Sequence, residues 1–216
     1  PAELLESPCV VFHWQDELAM AIDECLKLSP KGDCGKGPNG PIGQWDVSRV
    51  VEMHNVFSHA QSFNGDISEW DVSSTISMAV TFSGAMSFNG DLSKWDVSRV
   101  TDMHGMFWAA SVFNGDLSKW DVASVVEMQY MFREARKFNR DISKWDVSNV
   151  QNIFATFRRA SLFNSDISKW DVSHITNMDR LFAEAHSFNG NISNWDVSSV
   201  TSMHIMFGQA RSYNDD

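Results

Sequence analysis

Two files of carboxylates run through this sequence at a fixed interval of 25 residues. One follows a tryptophan and comprises Asp46, Asp71, Asp96, Asp121, Asp146, Asp171 and Asp196; the other comprises Asp66, Asp91, Asp116, Asp141 and Asp166, and Asn191 breaks it. Like charges stacked at the spacing of adjacent backbone segments repel. Two chemistries relieve that. Files of carboxylate and amide oxygens are hard-cation ligands, which points to calcium. Alternatively, the Asp after each Trp accepts hydrogen bonds from the amides at the start of the following helix, while Lys94, Lys119, Lys144 and Lys169, in the slot before Trp, set a cation beside each file. The glycine-rich ligand loops of calcium-binding repeats are missing, which favours local caps and lysine pairing. No metal and no cofactor is expected.

The other reactive residue types are dispersed. His54, His104 and His204 share one slot of the repeat but are separated by repeats without histidine there. The serines fall in capping positions, and no Ser-His-Asp or Cys-His context orients a nucleophile. The chain is therefore not expected to be an enzyme. Cys9, Cys25 and Cys34 all precede the repeats. The odd count fits one disulfide stapling a terminal cap with a thiol left over, and it fits three isolated thiols in a reducing compartment. Together with His13 these cysteines match no standard zinc-ligand spacing. Asn191-Ile192-Ser193 is a glycosylation sequon, meaningful only in a secretory pathway.

A binding surface is the better prospect. Arg133, Arg136, Lys137, Arg140, Arg158 and Arg159 cluster in two consecutive repeats of an otherwise acidic chain. Trp108 shares a slot with Arg133 and Arg158, which places these three side by side, and Tyr130 and Phe154 fall nearby. Aromatic and arginine residues together are the usual anchors of protein interfaces. The candidate protein-binding set is Trp108, Tyr130, Arg133, Arg136, Lys137, Phe154, Arg158 and Arg159. The competing reading is a solvated face on which arginine stacks over Trp108.

These residues need a scaffold, and the composition supplies one. With 216 residues and 43% hydrophobic content, the chain has ample material for a buried core. The formal charge of −11 argues against nucleic acid and anionic lipid as partners. No apolar run is long enough to cross a bilayer, so no direct membrane insertion is expected. Numbering that begins at Pro1 suggests a removed leader, and with it a secreted, cell-surface or organelle-lumen location.

The scaffold is a repeat. Trp recurs at 45, 70, 95, 120, 145, 170 and 195, each time followed by Asp and Val, without insertion or deletion. A fixed period of this kind means stacked supersecondary units. In the unit Phe88 to Ala110, the spacing of Leu92, Trp95 and Val97 predicts a short strand facing inward. Ser98 reads as a helix N-cap, and Val100, Met103, Phe107 and Ala110, at offsets of three, four and three, predict a short helix with one apolar face. Thr75 and Ile76 depart from the pattern, which predicts a local adjustment of that repeat's helix start. Asn recurs at 39, 64, 89, 114, 139, 164, 189 and 214, the signature of an asparagine ladder that serves the backbone of its own turn and the next.

Residues 1–38 read as a separate cap. Leu18, Ile22, Cys25 and Leu26 place an amphipathic helix from Asp16 to about Leu28, followed by a Gly- and Pro-rich loop. Residues 39–216 form the repeat body. It breaks off at Tyr213-Asn214-Asp215-Asp216, early in an eighth turn and without an obvious cap, an end that wants a neighbour.

The unit Phe-Asn-Gly-Asp-Ile-Ser-x-Trp-Asp-Val-Ser-x-Val-Thr-x-Met, with Met-Phe-x-x-Ala after it, resembles the 25-residue repeat of BspA-like leucine-rich-repeat proteins. The likeness runs from about Asn39 to the C-terminus. It implies surface or secreted proteins engaged in adhesion and protein binding, and it carries over no catalytic residue. The expected fold is thus an α/β repeat solenoid of leucine-rich-repeat type, seven coils each with a short parallel strand and a short helix, plus an N-terminal helical cap. The expected role is a non-enzymatic solenoid presenting its variable face to a protein or a surface glycan. The alternative is a structural accessory subunit of a larger, membrane-associated assembly.

Overall fold

Residues 10–214 are described by the computed structural model. Every apolar slot of the repeat points inward in the central coils: Leu92, Trp95, Val97, Val100, Met103, Phe107, Ala110 and Phe113 are each 3% exposed or less. The backbone that carries them there differs from the expected one.

The α/β solenoid of leucine-rich-repeat type, with a strand and a helix in each coil, does not form. Among the described residues the regular elements are one α-helix, α1 (Gln15–Leu28), and a single 3-10 turn at Ile42–Gln44. No sheet assembles among them. Parallel pairing is by single residues: Glu52 with Ser77, Ser77 with Asp102, Asp102 with Glu127, Glu127 with Asn152, and Asn177 with Ser202. These lie just before the Met slot, not at Leu92–Val97. That stretch is instead a pair of turns, closed by the Trp95 amide on the Leu92 carbonyl at 3.1 Å and the Val100 amide on Val97 at 2.9 Å.

The expected helix from Ser98 to Ala110 is a run of overlapping turns. The amides of Met106, Trp108 and Ala110 donate to carbonyls three residues back, at 3.0 to 3.2 Å. Those of Met103, Gly105, Phe107 and Ala109 leave the coil and donate to Glu127, Gln129, Met131 and Arg133 of the next one, at 2.7 to 2.9 Å. An α-helix spends its interior amides on the carbonyl four back; here alternate amides bind a neighbour. The geometry needs left-handed residues, with φ of +55° at Gly105 and +59° at Ala109. That costs an L-residue about 1–2 kcal/mol, and it recurs at Tyr130, Glu134, Ala155, Arg159, Arg180 and Glu184. Stacking offsets the cost because each coil offers the preceding one a row of carbonyls in register, and buried backbone groups must find partners. Thr75 brings no local adjustment. Its amide turns back to Val72 at 2.9 Å, and its buried hydroxyl donates to the Val50 carbonyl at 3.0 Å.

Side chains tie the coils a second time. Each indole N–H from Trp70 to Trp195 donates to the Ile or Leu carbonyl 28 residues back, at 2.8 to 3.2 Å. The asparagine ladder forms from Asn64 onward, without the expected rung from Asn39: the Oδ1 atoms of Asn64, Asn89, Asn114, Asn139, Asn164 and Asn189 each accept the next coil's Asn amide at 2.7 to 3.1 Å. Two phenylalanine columns fill the interior. The column from Phe57 to Phe207 steps by 5.4 to 5.9 Å between ring centroids. It packs against the column from Phe63 to Tyr213 at 3.8 to 4.1 Å within each coil.

At the N-terminal end α1 lays Leu18, Ala21, Ile22 and Cys25 onto the first coil. Val11 pairs with Asp46, and the Phe12 ring sits 5.2 Å from that of Trp45. Cys25 and Cys34 form a disulfide with their Cα atoms 5.2 Å apart, while Cys9 lies outside the described residues. The disulfide-bonded loop supplies the rung that a preceding coil would give, since the Asn64 amide donates to the Lys31 carbonyl at 3.1 Å. Gly32, at φ +88°, lies so close to Phe63 that a Cβ there would collide with the ring.

Candidate functional site

One slot of the repeat changes size along the molecule. It holds Ser58, Ser83, Trp108, Arg133, Arg158, Ala183 and Gly208 in successive coils, so small residues flank a raised ridge three coils wide. The overlapping turns fix this ridge, because Trp108 and Arg133 immediately precede the left-handed residues Ala109 and Glu134, whose amides are bonded to the next coil.

The guanidinium carbon of Arg133 lies over the Trp108 ring at 4.6 Å from its centroid and 5.4 Å from that of Tyr130. Tyr130 stacks on Trp108 at 5.7 Å, meets Phe154 edge-on at 5.2 Å and His104 edge-on at 5.6 Å. All five are half-buried. Such contacts hold an aromatic cluster rigid while leaving part of each ring at the surface.

Three of the six cations of the basic cluster, Arg133, Arg158 and Arg159, are paired with glutamates of the chain. Arg159 Nε lies 2.9 Å from Glu184 Oε2, and its Nη1 lies 3.4 Å from Glu134 Oε1. Arg158 is 3.5 Å from Glu184. Arg133 Nε approaches Glu134 to 3.4 Å yet makes no hydrogen bond, so this contact is ionic only. The hydrogen bond from Arg159 holds the Glu184 carboxyl below its usual range, against the opposing effect of burial. Glu134 and Glu184 were not singled out in the sequence. The signal was available, because they occupy the slot of Arg159 one repeat before and one repeat after it.

Trp108, Tyr130, Arg133, Phe154, Arg158 and Arg159 are thus brought into one continuous surface, with Glu134 and Glu184 as ionic struts. Arg136 and Lys137 stand apart from it as exposed cations. Arg136 lines a shallow hollow with Met86, Ser111 and Glu134. Beyond Arg158 the ridge drops into a hollow of about 260 Å³ bounded by Arg180, Ala183, Glu184 and Gly208.

The carboxylate files have local partners. The Oδ1 atoms of Asp66, Asp91, Asp116, Asp141 and Asp166 accept the amide of the serine two residues on, at 2.9 to 3.0 Å. Asn191 does the same for Ser193 at 2.9 Å. In the second file, Asp46, Asp96, Asp146 and Asp196 cap Ser48, Ser98, Ser148 and Ser198 at 2.9 to 3.0 Å. Hydrogen bonds from these serines hold the carboxyls below their ordinary range. Lys94 pairs with Glu69, a carboxylate outside both files. Among the described residues no three His, Cys, Asp or Glu side chains converge as a metal site.

The profile of a family described as "Mycoplasma protein of unknown function, DUF285" matches residues 33–144 and 116–216. The chain belongs to the DUF285 family. The two overlapping matches cover the tandem repeats, so the DUF285 character resides in the coils and their aromatic period. No curated protein and no solved structure matches the chain. Membership supplies no activity, and the ridge carries what can be said of one.

Proposed function

We propose that this DUF285 protein is a non-enzymatic binding module whose contact surface is the ridge Trp108–Arg133–Arg158 with Tyr130 and Phe154. The observation that carries this reading is the stacking of Arg133 on Trp108 and Tyr130. It sets an arginine and two aromatic rings in fixed positions at the surface, and half-buried Trp, Tyr and Arg are the residue types that dominate binding energy at protein interfaces. Little rotamer freedom remains to be lost on association.

The BspA-like character of the repeat lettering adds to this. It suggests a protein outside the cell that contacts another protein or a surface glycan. The disulfide between Cys25 and Cys34 agrees with an oxidising compartment.

The test uses the full chain as bait against surface proteins and glycans of its native source. The triple variant Trp108→Ala, Arg133→Ala, Arg158→Ala is expected to lose affinity by at least about tenfold, the scale of losing one or more hot-spot residues. Unaltered binding by a variant that still folds removes the ridge as the contact surface. Recovery of the protein only in a large stoichiometric complex would instead favour the structural-subunit role.

A further inference from the structure

The repeat places a serine two residues after every member of the Asp66 file, and only one coil supplies an amide in place of the carboxylate. Asn191-Ile192-Ser193 is consequently the only Asn-x-Ser/Thr sequence in the chain. The slot is conformationally uniform. Asn191 caps Ser193 as Asp166 caps Ser168, with oxygen-to-amide distances of 2.9 Å in both. The substitution therefore leaves the turn intact and changes its chemistry.

Asn191, Ser193 and Asn194 are all exposed, and Trp195 behind them is buried. Asn191 Oδ1 is held twice, by the Ser193 amide at 2.9 Å and the Ser193 hydroxyl at 2.8 Å. With its oxygen pinned, the side-chain amide turns its Nδ2 away from the turn, and among the described residues that nitrogen makes no hydrogen bond. An exposed Asn in a surface turn, with a hydroxyl residue two positions on, is the acceptor that N-glycan transfer uses in a secreted protein. The disulfide between Cys25 and Cys34 is an independent indication of passage through an oxidising secretory route.

We infer that Asn191 is an N-glycosylation site, its glycan drawn from a lipid-pyrophosphate-linked oligosaccharide. In the transfer, Nδ2 loses a proton and bonds to the anomeric carbon of the donor. The bond from that carbon to the pyrophosphate oxygen breaks, and the lipid pyrophosphate leaves with the electron pair, so no oxidant or reductant is needed. The glycan would stand on the stretch of coil that bears the Asp66 file, leaving the Trp108–Arg133 ridge uncovered. The inference does not depend on the ridge being a binding surface.

The deciding measurement is peptide mass spectrometry of the full chain isolated from the organism that makes it, before and after enzymatic removal of N-glycans in heavy-oxygen water. The expected result is a glycan on the peptide containing Asn191, and conversion of Asn191 to labelled Asp on release. An unmodified Asn191 in that material overturns the inference. Secretion from a eukaryotic host gives a second readout in which folding is not at risk, because Asp is the ordinary residue of this slot. There Asn191→Asp and Ser193→Ala should abolish the glycan-dependent mass shift, Ser193→Thr should keep it, and Asp166→Asn should add a second one. A secreted wild-type chain without the shift also overturns it.

Discussion

The indole N–H of Trp120 donates to the carbonyl oxygen of Leu92 at 3.0 Å, across 28 residues of sequence. From Trp70 onward the tryptophan of each coil thus acts as a cross-tie as well as core filling. Trp120→Phe keeps an aromatic ring but leaves the Leu92 carbonyl without this donor, and should cost about 1–3 kcal/mol. Trp120→Ala should cost about 3–5 kcal/mol. Urea titration of the two variants separates the tie from the packing. A Trp120→Phe variant as stable as the wild type would show that the bond contributes nothing of its own.

Gly105 distinguishes a helix from a run of turns by the sign of one substitution. In a helix, Gly105→Ala would stabilise by about 1 kcal/mol. Here Gly105 has φ +55°, and an added Cβ would lie 3.1 Å from a Val80 methyl, so the same change should destabilise, by about 1 kcal/mol or more. Val80→Gly, relieving a β-branched residue at φ +49°, should lose less than a cavity of that size in an ordinary core. Thermal melts followed by circular dichroism read both, and the spectrum should show little helix beyond α1.

Asn114→Ala removes the acceptor of the Asn139 amide, now at 3.0 Å. The loss should be about 1 kcal/mol, and hydrogen exchange should speed up at Asn139 while Asn89 stays protected. Exchange unchanged at Asn139 would mean the ladder is incidental.

Acid should weaken the fold through the carboxylate files. Asp66, Asp91, Asp96, Asp116, Asp141 and Asp146 are all held below the ordinary carboxylate range by bonds from the serine two residues on. Groups depressed in the folded state stabilise it fully above their unfolded pKa, about 3.9. That contribution disappears as pH falls through the lower folded values. Stability should therefore be level from neutral pH to about 5 and decline below about 4. Asp141→Asn keeps the cap, as Asn191 shows naturally, and should flatten the acid limb slightly when made in a cytosolic host. Addition of a calcium chelator at neutral pH should leave the melting temperature unchanged, and a drop would return the files to the status of ion ligands.

Much of this fold was legible in the sequence, but its backbone was not. The period fixed which residues face inward, so Leu92, Trp95, Phe107 and Ala110 were assigned correctly to the interior, and the asparagine ladder could be read from position alone. The helix was misread because offsets of three, four and three from Val100 to Ala110 suit an α-helix and a chain of three-residue turns equally well. Local preference carried part of the missing information: one slot holds Asn55, Val80, Gly105, Tyr130 and Ile205 against only Ala155 and Arg180, so five of its seven residues are poor helix formers. Of the ridge, the meeting of Trp108 with Arg133 followed from their shared slot. Neutralisation of Arg158 and Arg159 did not, because a cluster of cations was counted without the glutamates one coil to either side.

The amides that leave each coil also govern how such a gene can change. Met103, Gly105, Phe107 and Ala109 find their carbonyls 24 residues ahead, so adding or deleting a few residues within a coil would set the donors whose bonds span that point against the wrong acceptors. Lengthening is tolerated only in whole units. Families built on this backbone should therefore differ among members by copy number, with loops of irregular length confined to the cap.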